Sequence, residues 1–238
     1  CRGDAAFTYG LPNAGALGVF RRLGFHALGE MNRLTCVLRI GPYLERVLPA
    51  RPSRAIDRLA TVAARLVETA SRPRFAGSHG LESVEVDQRF DRLYEQAQRS
   101  HGFLGDRSAD FLRWRFMRHP AKAYSIFGLI EKSSRELAGY AVVQSEGDHA
   151  HVTDFLARRG DDASPLFELL LPMLRRRGFA AASVRFLGSP RLVELLRAHG
   201  FRFVHAGKTV MMAAGAGGNL PSELLRDPES WYLTGADE

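Results

Sequence analysis

The apolar positions along the chain change period several times. AAFTYGL, residues 5 to 11, alternates in part and stops at Pro12, which predicts a strand. From Asn13 to Leu23 the spacing becomes helical, with Ala16, Leu17, Phe20 and Leu23 on one face. Asn13 suits an N-cap and Gly24 a left-handed stop. RLTCVLRI, residues 33 to 40, is again strand-like, so the chain opens with a strand–helix–strand unit. Residues 41 to 80 carry Pro42, Pro49, Pro52 and Pro73 around one amphipathic helix, SRAIDRLATVAARLVETA, and read as a linker.

Past Leu81 the pattern is denser. LESVEVD predicts a strand, QRFDRLYEQAQRS a helix, and SADFLRWRFMRHP a second helix ending at His119 before Pro120. AYSIFGLIEK and ELAGYAVVQSEG form a hairpin across the polar SSR, and HAHVTDFLA is a further strand. SPLFELLLPMLRRRGF is a helix with Ser164 at its cap and Pro165 in its first turn. AAASVRFL is a strand and SPRLVELLRAHG a helix, and FRFVHAG and KTVMMAA read as two more strands. The fold class that follows is α/β, a mixed and mainly antiparallel sheet flanked by helices.

One helix end occurs twice. NAGALGVFRRLGFHAL, residues 13 to 28, overlies SPRLVELLRAHGFRFV, residues 189 to 204. Arg21, Gly24 and Phe25 fall on Arg197, Gly200 and Phe201, and Leu17, Val19 and Phe20 on Val193, Leu195 and Leu196.

Composition narrows the function classes. The formal charge of +7 is almost all arginine, interspersed with acids, which fits solvated helix faces better than a nucleic-acid surface. Cys1 and Cys36 are too few for a disulfide framework or a zinc cluster. The greasiest run, LFELLLPML, is too short to span a bilayer, and no signal peptide is visible. A cytoplasmic setting is the expectation. The missing initiator Met and the opening strand lead us to expect a fragment of a longer protein.

The order of elements resembles the GNAT superfamily of acyl-CoA-dependent N-acyltransferases. Asn13, Ala16, Val19-Phe20 and Gly24-Phe25 match a pattern near the end of that family's domain, and Leu195-Leu196 with Gly200-Phe201 keep part of it. RWRFMRHPAKAYSIF and WYLTGADE further resemble a bacterial tandem-GNAT group linked with polysaccharide biosynthesis. The resemblance implies the C-terminal remnant of a first GNAT-like domain over 1–40, a linker over 41–80, and a second GNAT-like domain over 81–238. It implies an N-acyltransferase moving an acetyl or other acyl group from acyl-CoA to a small-molecule or sugar amine, with no metal. The other open reading is a degenerate domain that recognises the acceptor or supports an upstream active domain.

In such a family a Gly-rich loop holds the diphosphate of CoA on backbone N–H groups at a helix N-terminus. RRGDDA, residues 158 to 163, falls there, making Arg158, Arg159 and Gly160 candidates for the cofactor, with Asn13 from the first copy. Asp161 and Asp162 do not fit, since each carboxylate repels a diphosphate by about 1 to 4 kcal/mol per charge pair. The tyrosine that often protonates the leaving thiolate is Phe20 in one copy and Leu196 in the other, and neither has a proton to give. Asp154 in the HVTDFLA strand is the candidate general base, weighed against an aspartate that pairs with an arginine. His149 and His151 share a strand face without a third ligand at metal spacing. Trp114 and Arg115, with Arg113 and Arg118 nearby, are candidates for an acceptor groove that takes an acidic sugar or carboxylate.

Overall fold

A computed structural model describes residues 5–39, 74–159, 163–215 and 221–238. The expected linker helix, Gly160, Asp161 and Asp162 lie outside the described residues. Among the described residues the strands form one ten-stranded sheet. Its order is β1 (Phe7–Gly10), β9 (Arg202–Ala214), β2 (His26–Val37), β8 (Ala181–Gly188), β7 (His149–Ala157), β6 (Leu137–Glu146), β5 (Tyr124–Glu131) and β3 (His79–Ser83). β10 (Trp231–Thr234) pairs with β8 and with the short β4 (Phe103–Leu104). Among the described residues only β7–β8 and β10–β4 are parallel pairs.

The repeat explains the order β1-β9-β2-β8. The first unit is β1, α1 (Leu17–Arg22) and β2; the second is β8, α5 (Pro190–Ala198) and β9. Each inserts its second strand between the two strands of the other, so exchanging the units reverses the order and leaves it unchanged. All contacts among these four strands are antiparallel. The helix ends are alike in detail. Gly24 and Gly200 both take a left-handed φ, +86° and +89°. Phe25 N–H donates to the Phe20 carbonyl at 3.0 Å, as Phe201 N–H does to Leu196 at 3.1 Å. These five-residue back bonds satisfy carbonyls that the helix would leave orphaned. The burial differs. Leu196 is fully buried under α5, whereas α1 buries no residue and leaves Val19 and Leu23 exposed.

Several local expectations change. α1 is six residues long, and Asn13 caps the preceding turn through Oδ1, which accepts Ala16 N–H at 2.9 Å. FRFVHAG and KTVMMAA are one continuous strand, β9, because register shifts against β2 absorb the irregularity that looked like a break. Gly207 sits at that point, where a Cβ would fall on the Met31 carbonyl. The third change is SADFLRWRFMRHP, which is a short α3 (Ala109–Leu112) continued by a π-helical turn, Arg113–Met117. Arg118 N–H bonds the Arg113 carbonyl at 2.9 Å.

The helices cover both faces. α2 (Gln88–Gln98) starts at Asp87, whose carboxylate accepts Arg89 N–H, and buries Phe90, Leu93 and Ala97. α4 (Ala163–Arg176) buries Leu166, Phe167, Leu170 and Leu174. Ser164, expected as its cap, lies inside it with its hydroxyl 3.0 Å from His199 Nε2. A smaller apolar cluster joins Leu28, Met31 and Met212 of the interlocked strands to Trp231 and Leu233 of β10. β10 therefore packs into the body of the sheet.

Candidate functional site

β7 and β8 run side by side only over His149–Val152 and Ala181–Val184. There β7 bends, because Thr153 is an extra residue against β6: Val142 faces Asp154 while Val143 faces Val152. Beyond the bulge the two parallel strands separate like a fork. β10 fills it. Its backbone pairs with β8 through Tyr232 with Gly188, Leu233 with Leu187 and Thr234 with Phe186. Its side chain serves the other arm, since the Tyr232 hydroxyl donates to the Phe155 carbonyl of β7. A buried carbonyl that the fork deprives of a partner is thereby satisfied.

A charged network locks this plug. Arg107 Nε lies 3.2 and 3.1 Å from the two oxygens of Asp154. Its Nη2 donates to Asp237 Oδ2 at 2.6 Å and to Thr234 Oγ1 at 3.3 Å. Asp154 also accepts from Thr234 Oγ1 at 2.6 Å and from the Tyr140 hydroxyl at 2.7 Å. Asp237 returns to the Thr234 N–H at 2.9 Å and accepts from Tyr9 of β1 at 3.4 Å. Burial lowers the Arg107 pKa, but Asp154 and Asp237 outweigh it and hold the guanidinium well above its ordinary value. Burial pushes the Asp154 carboxyl up, against the pull of Arg107 and the two hydroxyls. Tyr9 is raised to about 12 by burial and then by Asp237. Asp154, the candidate base, is thus fully buried with both oxygens engaged.

Next to the fork, on the Asp154 face of the sheet, lies an open groove of about 390 Å³. Its floor holds three groups in line. His151 Nδ1 is 2.9 Å from Ser183 Oγ, and His151 Nε2 is 2.9 Å from Glu146 Oε2. Burial lowers the His151 pKa, opposed by Glu146, and the ring is therefore neutral near pH 7. His149 stacks on it at 4.5 Å with a buried Nε2 that has no hydrogen-bond partner among the described residues. Its pKa drops to about 4 through burial, then through His151 and Arg33. Around this floor stand Arg115, Lys122, Arg185 and Lys208, and the side chain of Glu238 reaches in among them.

Of the candidates, Arg115 lines the groove, carried there by the π-helical turn while Phe116 enters the core. Its Nε and Nη2 donate to the Ala236 and Glu238 backbone oxygens at 3.0 and 2.9 Å. Trp114 is 64% exposed, packs on Phe111 and does not line the groove. Arg113 is taken by Asp110 and the Val86 carbonyl. Arg158 turns back toward Glu131 and the Leu137 carbonyl, at 4.0 and 3.5 Å, and Arg159 is exposed. Asn13 follows β1, with β9, β2 and β8 between that strand and β7, so it and Arg158 are not brought together. Arg107, Glu146, Ser183, Arg185, Lys208 and Glu238 were not singled out from sequence. Only the alternation of His149 and His151 pointed at this floor. No group of three or more His, Cys, Asp or Glu able to hold a metal occurs among the described residues.

The fold has counterparts in solved structures. A GCN5-related N-acetyltransferase from Anabaena variabilis matches with a TM-score of 0.56 at 16% identity, over 88% of this chain and 46% of that one. The fold is that of the GNAT N-acyltransferases. A probable N-acyltransferase from Enterococcus faecalis gives 0.54 at 10% identity, over 88% and 45%. Saccharomyces cerevisiae N-myristoyltransferase with bound myristoyl-CoA gives 0.52 at 9% identity, over 83% and 54%. The chain thus spans about half the length of these structures. No protein-family model and no curated protein matches the sequence. No helix among the described residues is long and apolar enough to cross a membrane.

Proposed function

We propose that this chain is the acceptor-binding part of a GNAT-type N-acyltransferase. The groove takes an amine acceptor, a small molecule or sugar, and an acyl-CoA donor such as acetyl-CoA is held by a second unit. One observation carries this reading: β10 occupies the fork between β7 and β8, pairing with β8 and bonding β7 through Tyr232. The residues of the fork therefore do not fit a pantetheine arm, and Asp154 serves as an anchor for the plug rather than as a base. Of the expected cofactor contacts, Arg158 faces Glu131 and the Leu137 carbonyl.

Within the groove the groups suit an amine. An amine arrives mainly as ammonium and must shed a proton before it can attack. His151 is neutral, backed by Glu146 and open to Ser183, and is the group we assign to that proton. A second reading, a complete transferase in which β10 withdraws, is favoured by the same histidine.

Thermal unfolding with acetyl-CoA separates the two. A ligand bound only by the folded state at a hundred times its Kd stabilises by about 2.7 kcal/mol. We expect no saturable rise in Tm for this chain. A rise that tracks acetyl-CoA concentration and disappears with CoA-free acetate overturns the acceptor-only reading.

A further inference from the structure

The groove contains a carboxylate of its own. The Glu238 side chain is paired by Arg185 Nη1 and by Lys208 Nζ, the latter at 3.2 Å from Oε2. The two cations come from different strands, β8 and β9, with β2 between them. They meet on one carboxylate because the interlocked units put those strands on one face. Arg115 adds a third cation, fixed by two bonds to the Ala236 and Glu238 backbone oxygens. Lys122 is a fourth, with no hydrogen-bond or ion-pair partner among the described residues. Against these stand Glu146, which is engaged by His151, and Glu238 itself.

With Glu238 withdrawn, four cations would face a groove whose remaining carboxylate is Glu146. Charge-assisted bonds from a guanidinium and an ammonium on one carboxylate are the strong, oriented kind, and arginine is the residue suited to such recognition. The Glu238 side chain is 14% exposed, so its carboxylate sits within the protein's edge and not out in water. The main-chain bonds of Arg115 to the Glu238 segment place that carboxylate independently of its own charge.

We infer that Arg185 and Lys208 form a carboxylate-binding subsite, occupied here by Glu238, which selects an acceptor amine bearing a carboxylate. This rests on the groove being the acceptor site. Glu238 then acts as a resident competitor: the acceptor's carboxylate displaces its side chain, and Lys122 is free to take a second oxygen. The same groove is lined by His151, Ser183 and Thr153, which the amine of that molecule would meet. An amino-sugar acid and an amino acid both supply this chemistry, and glucuronate probes the carboxylate of the former.

Isothermal titration calorimetry tests it without any acyl transfer. The ligands are glucuronate against glucose, and alanine against alaninamide, the first of each pair charged at its carboxyl and the second neutral there, on wild type, E238Q and the double variant R185Q/E238Q. E238Q keeps the side-chain shape and removes the competing charge. We expect E238Q to bind one charged ligand at least about tenfold tighter than its neutral counterpart, and about fivefold or more tighter than wild type does. R185Q/E238Q should lose that preference, with circular dichroism unchanged. The pair that discriminates names the source, sugar acid or amino acid. Equal binding of charged and neutral members by E238Q in both pairs overturns the inference, as does a preference that survives in R185Q/E238Q. Binding that passes these tests while acetyl-CoA stabilises this same chain would instead retire the acceptor-only reading and leave the subsite standing.

Discussion

Arg107→Ala reads the buried network most sharply. The guanidinium is enclosed, with Nε on Asp154, Nη2 on Asp237 and Thr234, and Nη1 on the Asp106 carbonyl at 2.9 Å. Removing one partner of a buried ion pair costs about 3–5 kcal/mol, because the other charge stays buried and uncompensated. Arg107→Ala strands two carboxylates, Asp154 and Asp237, both at most 3% exposed in their side chains, so the loss belongs at the upper end of that range. Asp154→Asn is milder. Arg107 keeps Asp237, and the amide oxygen can still accept from Thr234 or Tyr140, so about 1–3 kcal/mol is expected. Urea unfolding followed by circular dichroism measures both, against a total of about 5–15 kcal/mol for a typical domain. The double variant R107A/D154A should be less destabilised than the sum of its single changes by about 1–3 kcal/mol. Losses under about 1 kcal/mol for both Arg107→Ala and Asp154→Asn would refute the buried network and, with it, the structural role given to Asp154.

The histidine pair gives a pH dependence with a definite sign. His149 is lowered in the folded state to about 4 from 6.5, so the unfolded chain binds the extra proton first as pH falls. Stability should hold above pH 6.5 and decline toward pH 4, by about 1–2 kcal/mol once partial exposure is allowed for. His149→Gln should flatten that part of a urea midpoint-versus-pH curve, and an unchanged slope would contradict the assignment. The repeated helix ends should respond unequally to the same truncation. Leu196→Ala empties a fully buried site and should cost about 2–5 kcal/mol, whereas Phe20→Ala, on a helix with no buried residue, should cost about 1 kcal/mol. Equal losses in denaturant melts would mean that α1 is covered in solution as α5 is.

Much of the fold was legible because helices and strands here follow their apolar periods. The two copies of the Gly-Phe helix end were the strongest signal, and both adopt the same left-handed cap. What the sequence could not display was how the copies interlock. Arg185 and Lys208 are 23 positions apart, and only the insertion of β2 between β8 and β9 sets them around one carboxylate. β10 was missed as a strand because four residues carry no measurable period, and its partners, β8 and β4, are distant in sequence. Asp154 illustrates a general ambiguity: an acid among apolar residues on a strand has the same local pattern whether it faces substrate or a buried arginine. Arg107, in the polar stretch GDRSAD, gave no hint that it would be enclosed.

Whether the fork is filled is best measured by amide hydrogen exchange across Trp231–Thr234 and the facing end of β8, with and without acetyl-CoA. The account predicts that these amides exchange only through global unfolding and that acetyl-CoA leaves their rates unchanged. Exchange through a low-energy local opening of β10, accelerated or redistributed by acetyl-CoA, would contradict it.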